Sequence, residues 1–179
     1  IGVRLVGSEM CIRDRIGTGS SGIQVAPEIA KVVKKLVIFQ RTPNYSIPAR
    51  NKKLTREFII NFKKDYEKIK KILKKTPGGH TFSFPNRSVF DFNDKERNKI
   101  FEKAWSKGSL AFRACFSDIT KNIKANETAS NFIKEKILKI VKDDKVAKIL
   151  TNFDHPFTSK RPTLNTNYYE TFNKKNVQL

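Results

Sequence analysis

The pattern of apolar positions between residues 16 and 40 predicts a turn, a helix and a buried strand, in that order. The segment 23–35, IQVAPEIAKVVKK, has apolar residues at helical spacing, and Pro27 lies within its first turns, where a missing N–H costs little. Residues 36–40, LVIFQ, form a short apolar run typical of a strand buried on both faces of a parallel sheet. A strand before the turn would complete a βαβ unit, so we predict an α/β fold.

After a loop at residues 41–51, helical periodicity replaces the strand pattern. Residues 53–76 predict one long charged helix, which Pro77 and the two following glycines end. The apolar positions of this helix are Phe58, Ile59, Phe62, Ile69 and Ile72.

Further helices are predicted after an aromatic loop. Asn93 or Asp94 can cap a helix through Trp105, and residues 107–119 predict a second, short helix.

The last third of the chain continues this pattern. Asn126 is the predicted cap of a helix within residues 125–144, and residues 144–150 add one or two more turns. Residues 151–165 read as a loop, and residues 167–179 as a short helix followed by the start of a strand. The apolar stripe of the long helix is Phe132, Ile133, Ile137 and Ile140.

The turn before the first helix matches the dinucleotide-binding pattern G-x-G-x-x-G. In this pattern Gly17 makes a tight turn, Gly19 lets the backbone approach a pyrophosphate, and Gly22 allows close packing of helix on strand. The helix N-terminus then offers free N–H groups to the phosphates. The predicted cofactor-binding residues here are Gly17, Thr18, Gly19, Ser20, Ser21, Gly22 and Gln24.

The end of the next strand indicates which dinucleotide is bound. An NAD-binding domain places Asp or Glu there to hold the ribose 2'-hydroxyl, whereas a 2'-phosphate requires cations. The strand here ends Gln40-Arg41-Thr42, without a carboxylate, and the guanidinium of Arg41 can pair with a phosphate. The sequence therefore predicts an NADP-selective site, with a surface arginine beside an FAD site or an empty site as the alternative.

The first 15 residues do not match the pattern that follows, because charged residues stand where the strand before the turn should be. Residues 5–15 equal the translation of a transposase-type sequencing-library adapter, and residues 1–4 fit the same reading frame. The single methionine of the chain, Met10, lies within this segment. We therefore interpret residues 1–15 as adapter-derived, and we expect an internal fragment of a longer protein that begins at about Ile16.

The net charge of +20 raises the question of a nucleic-acid partner. However, lysine outnumbers arginine, and the lysines lie along predicted helices such as residues 63–75, whereas base-specific readers rely on arginine. We interpret the lysines as solvated helix faces and expect no nucleic-acid partner. A nucleic-acid-binding module stays an alternative.

Cysteine and histidine usage indicates neither disulfides nor metal. Cys115 is the lone cysteine outside residues 1–15, which suits a reducing, cytoplasmic compartment. Cys115, His80 and His155 lack metal-ligand spacing, so we expect structural or surface roles and no metal. No apolar run approaches the ~18 residues of a membrane span, so no membrane partner is expected. The oligomeric state stays open.

Three segments together resemble the Baeyer-Villiger monooxygenases, flavoenzymes that convert ketones into esters or lactones. These segments are the glycine turn, FQRTPNYSIPARN at 39–51 and KRPTLNTNYYETFN at 160–173, and the resemblance covers residues 16–179. It implies an enzyme that uses FAD and NADPH, with a small-molecule ketone and O2 as substrates. The related monooxygenases that oxygenate nitrogen or sulfur, and a non-catalytic NADPH-binding module, are the alternatives.

The resemblance also implies roles for four residues. Arg41 and Thr42 would bind the 2'-phosphate of NADPH, and Lys160 would be a second cation on that phosphate. Arg161 would be the active-site arginine, whose fixed positive charge stabilises the negative charge that develops during oxygen insertion.

The same resemblance implies that residues 16–179 divide into three segments and that a further domain of the family is missing from this chain. Residues 16–52 would begin a Rossmann-like NADP-binding domain, residues 53–152 would be a mostly helical insertion, and residues 153–179 would return to the domain with the active-site loop. The family's FAD-binding glycine turn and its F-x-G-x-x-x-H-x-x-x-W fingerprint do not occur in this sequence. We therefore expect the FAD domain to be missing and the fragment to be inactive.

The charges before the glycine turn have an expected cost. Arg13 and Asp14 would lie in a central strand, and a buried unpaired charge costs several kcal/mol. We therefore expect weak or no NADPH binding by this chain.

Overall fold

The computed structural model describes residues 12–76 and 78–179. Strand β1 (Ile12–Ile16) leads through the glycine turn into helix α1 (Ser20–Ile29), and β2 (Lys35–Phe39) follows and pairs with β1 in parallel. The predicted strand, helix and strand are therefore present, although α1 ends at Ile29 and the next residues form a turn. The adapter-like residues before Ile12 lie outside the described residues.

A third parallel strand comes from the far end of the chain. β5 (Val177–Gln178) pairs with β2, with Val177 opposite Leu36, so the sheet order is β1-β2-β5. Leu36 and Ile38 of the middle strand are buried, as the apolar run predicts. The first and last parts of the described chain thus form one sheet.

The charged residues of β1 do not lie in a central strand. Within the described residues β1 is an edge strand, and the side chain of Asp14 is exposed to solvent. The expectation of a buried charge is therefore wrong for Asp14, because its side chain faces water at the edge of the described sheet, and the side chain of Arg13 lies outside what the structure describes. The weak NADPH binding that was expected from a buried charge stays a prediction, but Asp14 no longer provides a reason for it.

A second parallel sheet forms from segments that were predicted to be loops. β3 (Ser46–Pro48) pairs with β4 (Thr163–Asn165), with Ser46 opposite Thr163. Each strand has only three residues, too few to show a period of two in the sequence. This pairing brings the loop after β2 next to the segment that contains Lys160.

The long helix predicted over residues 53–76 is two helices. α2 (Arg56–Lys64) begins at the cap Thr55, whose side chain accepts a hydrogen bond from the N–H of Phe58, and α3 (Tyr66–Lys75) follows after a break at Asp65. Neither helix has a buried residue. The prediction of helical structure in this segment is therefore confirmed, and the prediction of one continuous helix is wrong.

The remaining helices form the core of the insertion. The N-cap of α4 (Asp94–Lys107) is Asn93, one of the two predicted candidates, and it forms a reciprocal capping box with Glu96. A 3-10 turn stands where a short α-helix was predicted. The other elements are the 3-10 turns Val89–Asp91 and Leu110–Ala114, α5 (Ile123–Ile140), α6 (Asp144–Leu150) and α7 (Tyr168–Thr171).

The predicted cap of α5 is wrong by one helical turn. Asn122 caps the helix by accepting from the N–H groups of Lys124 and Ala125, and Asn126 lies inside the helix, 5% exposed. Its amide nitrogen donates to the carbonyl oxygens of Ile119 (2.9 Å) and Phe157 (2.7 Å). Its amide oxygen accepts from the Phe157 N–H at 2.9 Å. Asn126 therefore ties the loop after α6 to α5.

Aromatic side chains form the centre of the helical core. Phe112 is fully buried, and its ring centroid lies within 6 Å of those of four other aromatic residues. These four are Phe101, Trp105, Phe132 and Phe157. Aromatic pairs at such distances stabilise beyond their buried area, so this cluster anchors the insertion on which the loop at 151–162 rests.

Candidate functional site

The glycine turn has the geometry that its pattern requires at two positions. Gly17 has φ +87°, a conformation that favours glycine, and its N–H donates to the carbonyl oxygen of Phe39 at 2.8 Å. A Cβ at Gly22 would lie 2.5 Å from the carbonyl oxygen of Gly17. The turn is therefore closed against the end of β2, and α1 packs so tightly on it that only glycine fits at position 22.

The N-terminus of α1 is open at this turn. Gly19 is the N-cap and provides no side-chain hydrogen bond to the first N–H groups of the helix. Ser20, Ser21 and Gln24 are exposed to solvent. Free N–H groups at the positive end of a helix dipole attract anions, phosphates in particular.

A cleft of about 730 Å³ joins this turn to two distant parts of the chain. One side comes from the glycine turn, another from the residues after β2, and a third from Lys160, far along the sequence. The pairing of β3 with β4 brings Lys160 here. The residues lining the cleft are Ile16, Gly17, Thr18, Gly19, Phe39, Gln40, Arg41, Thr42, Pro43, Asn44 and Lys160.

The charge of the cleft is positive. Arg41 is exposed and makes no ion pair with any residue in the described ranges. The ammonium of Lys160 lies 3.4 Å from Asp154 Oδ1, and none of the lining residues is acidic. The cleft can therefore hold an anionic ligand.

Arg161 does not line the cleft. Its side chain is exposed, and its backbone carbonyl oxygen accepts a hydrogen bond from Asn44 Nδ2 at 3.1 Å. Pro162 is buried and β4 begins at Thr163, so the backbone of this segment is held on both sides. The predicted catalytic residue thus follows Lys160 directly in the chain but does not line the cleft.

Three polar side chains that were not among the predicted site residues form a chain of contacts that ends at Lys160: Asn44, His155 and Asp154. His155 Nδ1 lies 2.5 Å from Asp154 Oδ1, and His155 Nε2 lies 3.3 Å from Asn44 Oδ1. The hydrogen bond from His155, aided by the charge of Lys160, holds the pKa of Asp154 below its usual range. No spacing rule links Asn44 to a loop more than a hundred residues later, so the sequence carried no signal for this contact.

Tyr45 anchors the same loop. Its ring stacks on Phe153 with centroids 3.8 Å apart, and its hydroxyl lies 3.2 Å from both Ser130 Oγ and the carbonyl oxygen of His155. Burial raises the pKa of Tyr45. The loop is therefore fixed to both β3 and α5.

Other groups with reactive chemistry lie away from the cleft. Burial raises the pKa of the Cys115 thiol to about 12, which suppresses the reactive thiolate. Across residues 12–76 and 78–179, no three His, Cys, Asp or Glu side chains gather as a metal-binding group. Over the same ranges, no helix combines the length and the apolar character needed to cross a bilayer.

Known proteins similar to this chain are monooxygenases. It is 38% identical over 167 residues to cyclohexanone 1,2-monooxygenase of Acinetobacter sp, covering 92% of this chain and 30% of that protein. It is 37% identical over 166 residues to a Baeyer-Villiger monooxygenase of Pseudooceanicola batsensis, with the same coverage. It is also 35% identical over 167 residues to phenazine N-monooxygenase PhzNO1 of Lysobacter antibioticus, again with 92% and 30% covered. No protein-family profile matches the chain.

Solved structures agree in fold. An oxidised steroid monooxygenase bound to NADP superposes with a TM-score of 0.90 at 36% identity, covering 97% of this chain and 34% of that one. The chain therefore spans about a third of the length of the proteins it matches.

Proposed function

This chain is homologous to a segment of the Baeyer-Villiger monooxygenases that makes up about a third of their length, and on that premise we propose that it is the NADP-binding part of such an enzyme. The whole enzyme would use FAD and NADPH to insert one oxygen atom of O2 into a ketone, giving an ester or lactone. FAD and NADPH supply the redox chemistry when bound, and the protein supplies their binding, orientation and electrostatics.

The cleft is the single observation that carries this proposal. It combines a glycine turn, a helix N-terminus and two cations from distant parts of the sequence. Gly17, Gly19 and Gly22 would let the pyrophosphate approach the start of α1. Arg41, Thr42 and Lys160 would hold the 2'-phosphate, which no acidic residue among those lining the cleft would repel.

The domain organisation follows from the same reading. Residues 16–52 and 153–179 would form a Rossmann-like NADP-binding domain, and residues 53–152 a helical insertion. The pairing of β5 with β2 supports this division, because it returns the end of the chain to the sheet that begins it.

Arg161 would be the active-site arginine. Its guanidinium is exposed beside the cleft while its backbone is held by Asn44. A permanently charged guanidinium in this place would stabilise negative charge that develops on the reacting oxygen atoms.

The cofactor part is tested by titrating the purified chain with NADP+ and NAD+, followed by protein-detected NMR, which measures weak as well as tight binding. Arg41→Ala should weaken NADP+ binding about tenfold and leave NAD+ binding unchanged, since the guanidinium pairs with the 2'-phosphate alone. Arg56→Ala is the matched control, because Arg56 is exposed on α2, away from the cleft. Equal binding of NADP+ by the wild type and Arg41→Ala would overturn the assignment.

The catalytic part is tested in the intact flavoenzyme that contains this segment. Arg161→Ala should leave reduction of the flavin by NADPH intact and abolish formation of the oxygenated product, because the arginine acts after hydride transfer. Loss of both activities together, or of neither, would contradict the role.

Oxygenation of nitrogen is the second candidate function, because phenazine N-monooxygenase PhzNO1 is as similar to this chain as the ketone monooxygenases are. The intact enzyme should be offered cyclic ketones and aromatic nitrogen heterocycles in parallel. Mass spectrometry of the products then separates lactones from N-oxides.

A further inference from the structure

His155 and Asp154 form a hydrogen-bonded pair beside Lys160, which lines the cleft. Asp154 Oδ1 lies 2.5 Å from His155 Nδ1 and 3.4 Å from Lys160 Nζ. Short charge-assisted hydrogen bonds from nitrogen to carboxylate measure about 2.7–2.9 Å, so the histidine holds the carboxylate closely and the lysine touches it loosely. One carboxylate oxygen is thus shared unequally between two donors.

The two donors also differ in freedom. The side chain of His155 is 8% exposed, whereas those of Lys160 and Asp154 are 53% and 58% exposed. The ring of His155 packs edge-on against Tyr45 and contacts Asn44 through Nε2. His155 is therefore fixed by its surroundings, and Lys160 can move between Asp154 and a ligand in the cleft.

Asn44, from the loop after β2, completes this arrangement. It lines the cleft, lies against His155 Nε2 and donates through Nδ2 to the carbonyl oxygen of Arg161. The position of the imidazole is thus set jointly by the loop after β2 and by the loop before β4.

From this geometry we propose that Asp154 is a specificity-determining residue, which competes with a ligand phosphate for Lys160, and that His155 is the positioning residue that limits this competition. The inference rests on the proposed binding of NADP in the cleft. A carboxylate occupied by His155 attracts Lys160 weakly, so the ammonium is free for the 2'-phosphate. Without the imidazole, Lys160 would close on Asp154 and be withdrawn from the ligand.

The proposal predicts opposite effects for two neighbouring substitutions. Asp154→Asn removes the competing charge and should tighten NADP+ binding about two- to fivefold, in the range of an exposed ion pair. His155→Gln frees the carboxylate for Lys160 and should weaken NADP+ binding by a similar factor. NAD+, which lacks the 2'-phosphate, should bind equally to all variants.

The double variant separates this role from a merely structural one. If His155 acts through Asp154, then Asp154→Asn should rescue His155→Gln, and the double variant should bind NADP+ as the single Asp154→Asn variant does. If His155 only supports the loop, the weakening should persist in the double variant and NAD+ binding should fall as well, which would overturn the proposal.

The measurement uses the full chain, titrated with NADP+ and with NAD+ by protein-detected NMR. Glu127→Gln is the control for the loss of one negative charge, since Glu127 is exposed on α5. If the wild type binds NADP+ and Arg41→Ala weakens that binding while the Asp154 and His155 variants do not differ from wild type, this inference fails and the proposed function stands. If neither the wild type nor Asp154→Asn binds NADP+, either in this chain or in the intact flavoenzyme that contains it, the inference and the proposed function both fail.

Discussion

The two helical halves of the insertion have similar sequence patterns and opposite surroundings. α2 and α3 carry apolar side chains at helical spacing, yet Phe58 is 52% exposed and Ile72 is 39% exposed. In α4 and α5 the corresponding pattern is buried, with Phe101 at 2% and Ile133 at 0%. An apolar period therefore shows that a helix has a face suited to packing, and the rest of the fold decides whether that face is covered.

The difference also appears in what lies against each pair. The apolar side chains of α2 and its flanks line a shallow cleft of about 580 Å³ that is open to solvent. The side chains of α4 and α5 meet the aromatic cluster around Phe112 instead. The free energy of unfolding should accordingly depend on the packing of α4 and α5 and hardly on that of α2 and α3.

The largest expected effect compares two phenylalanines. Phe112→Ala should lower the free energy of unfolding by about 3–5 kcal/mol, because it removes a fully buried ring from the aromatic cluster. Phe58→Ala should change it by less than about 0.5 kcal/mol, because the ring is half exposed. Urea denaturation of both variants measures the difference, and equal losses would show that α2 is part of the cooperative core.

A medium effect is expected at the buried amide of α5. Asn126→Ala should cost about 1–3 kcal/mol, because it leaves the carbonyl oxygens of Ile119 and Phe157 without their donor. Asn131→Ala, on the exposed side of the same helix, is the control for helix propensity. If the two variants unfold at the same urea concentration, the link between α5 and the loop does not contribute to stability.

The smallest effect compares the two helix caps. Asn93→Ala should cost about 1 kcal/mol of global stability, because α4 is packed in the core. Thr55→Ala removes the cap of α2, which buries nothing, so it should speed amide hydrogen exchange in α2 and leave the global unfolding free energy nearly unchanged. A global loss on Thr55→Ala equal to that at Asn93 would contradict the comparison.

The features of the fold and the site that depend on neighbouring residues could be predicted from the sequence, and those that depend on contacts between distant segments could not. The glycine turn occurs as predicted, the strand predicted over residues 36–40 occurs as Lys35–Phe39, and Asn93 is the one of two predicted candidates that caps α4. All three depend on residues within a few positions of each other. The positions of Asn44 and Asp154 around Lys160 depend on pairing between β3 and β4, whose three-residue strands have no readable period. The prediction that Asn126 caps α5 was wrong for a similar reason, because the hydrogen-bond partners of Asn126 include Phe157 from a distant loop.

By itself the sequence determined the local elements: a G-x-G-x-x-G turn between strand and helix, a β2 without a terminal carboxylate, and helices where apolar residues recur every three to four positions. Local sterics, hydrogen bonds within a few residues and side-chain chemistry are enough for these features. Only the tertiary structure decided that β1 is an edge strand among the described residues, that the apolar face of α2 is open while that of α5 is covered, and that Lys160 lines the same cleft as the glycine turn. These outcomes depend on contacts between residues far apart in the chain, whose formation depends on the closure of long loops and on the packing of the whole core.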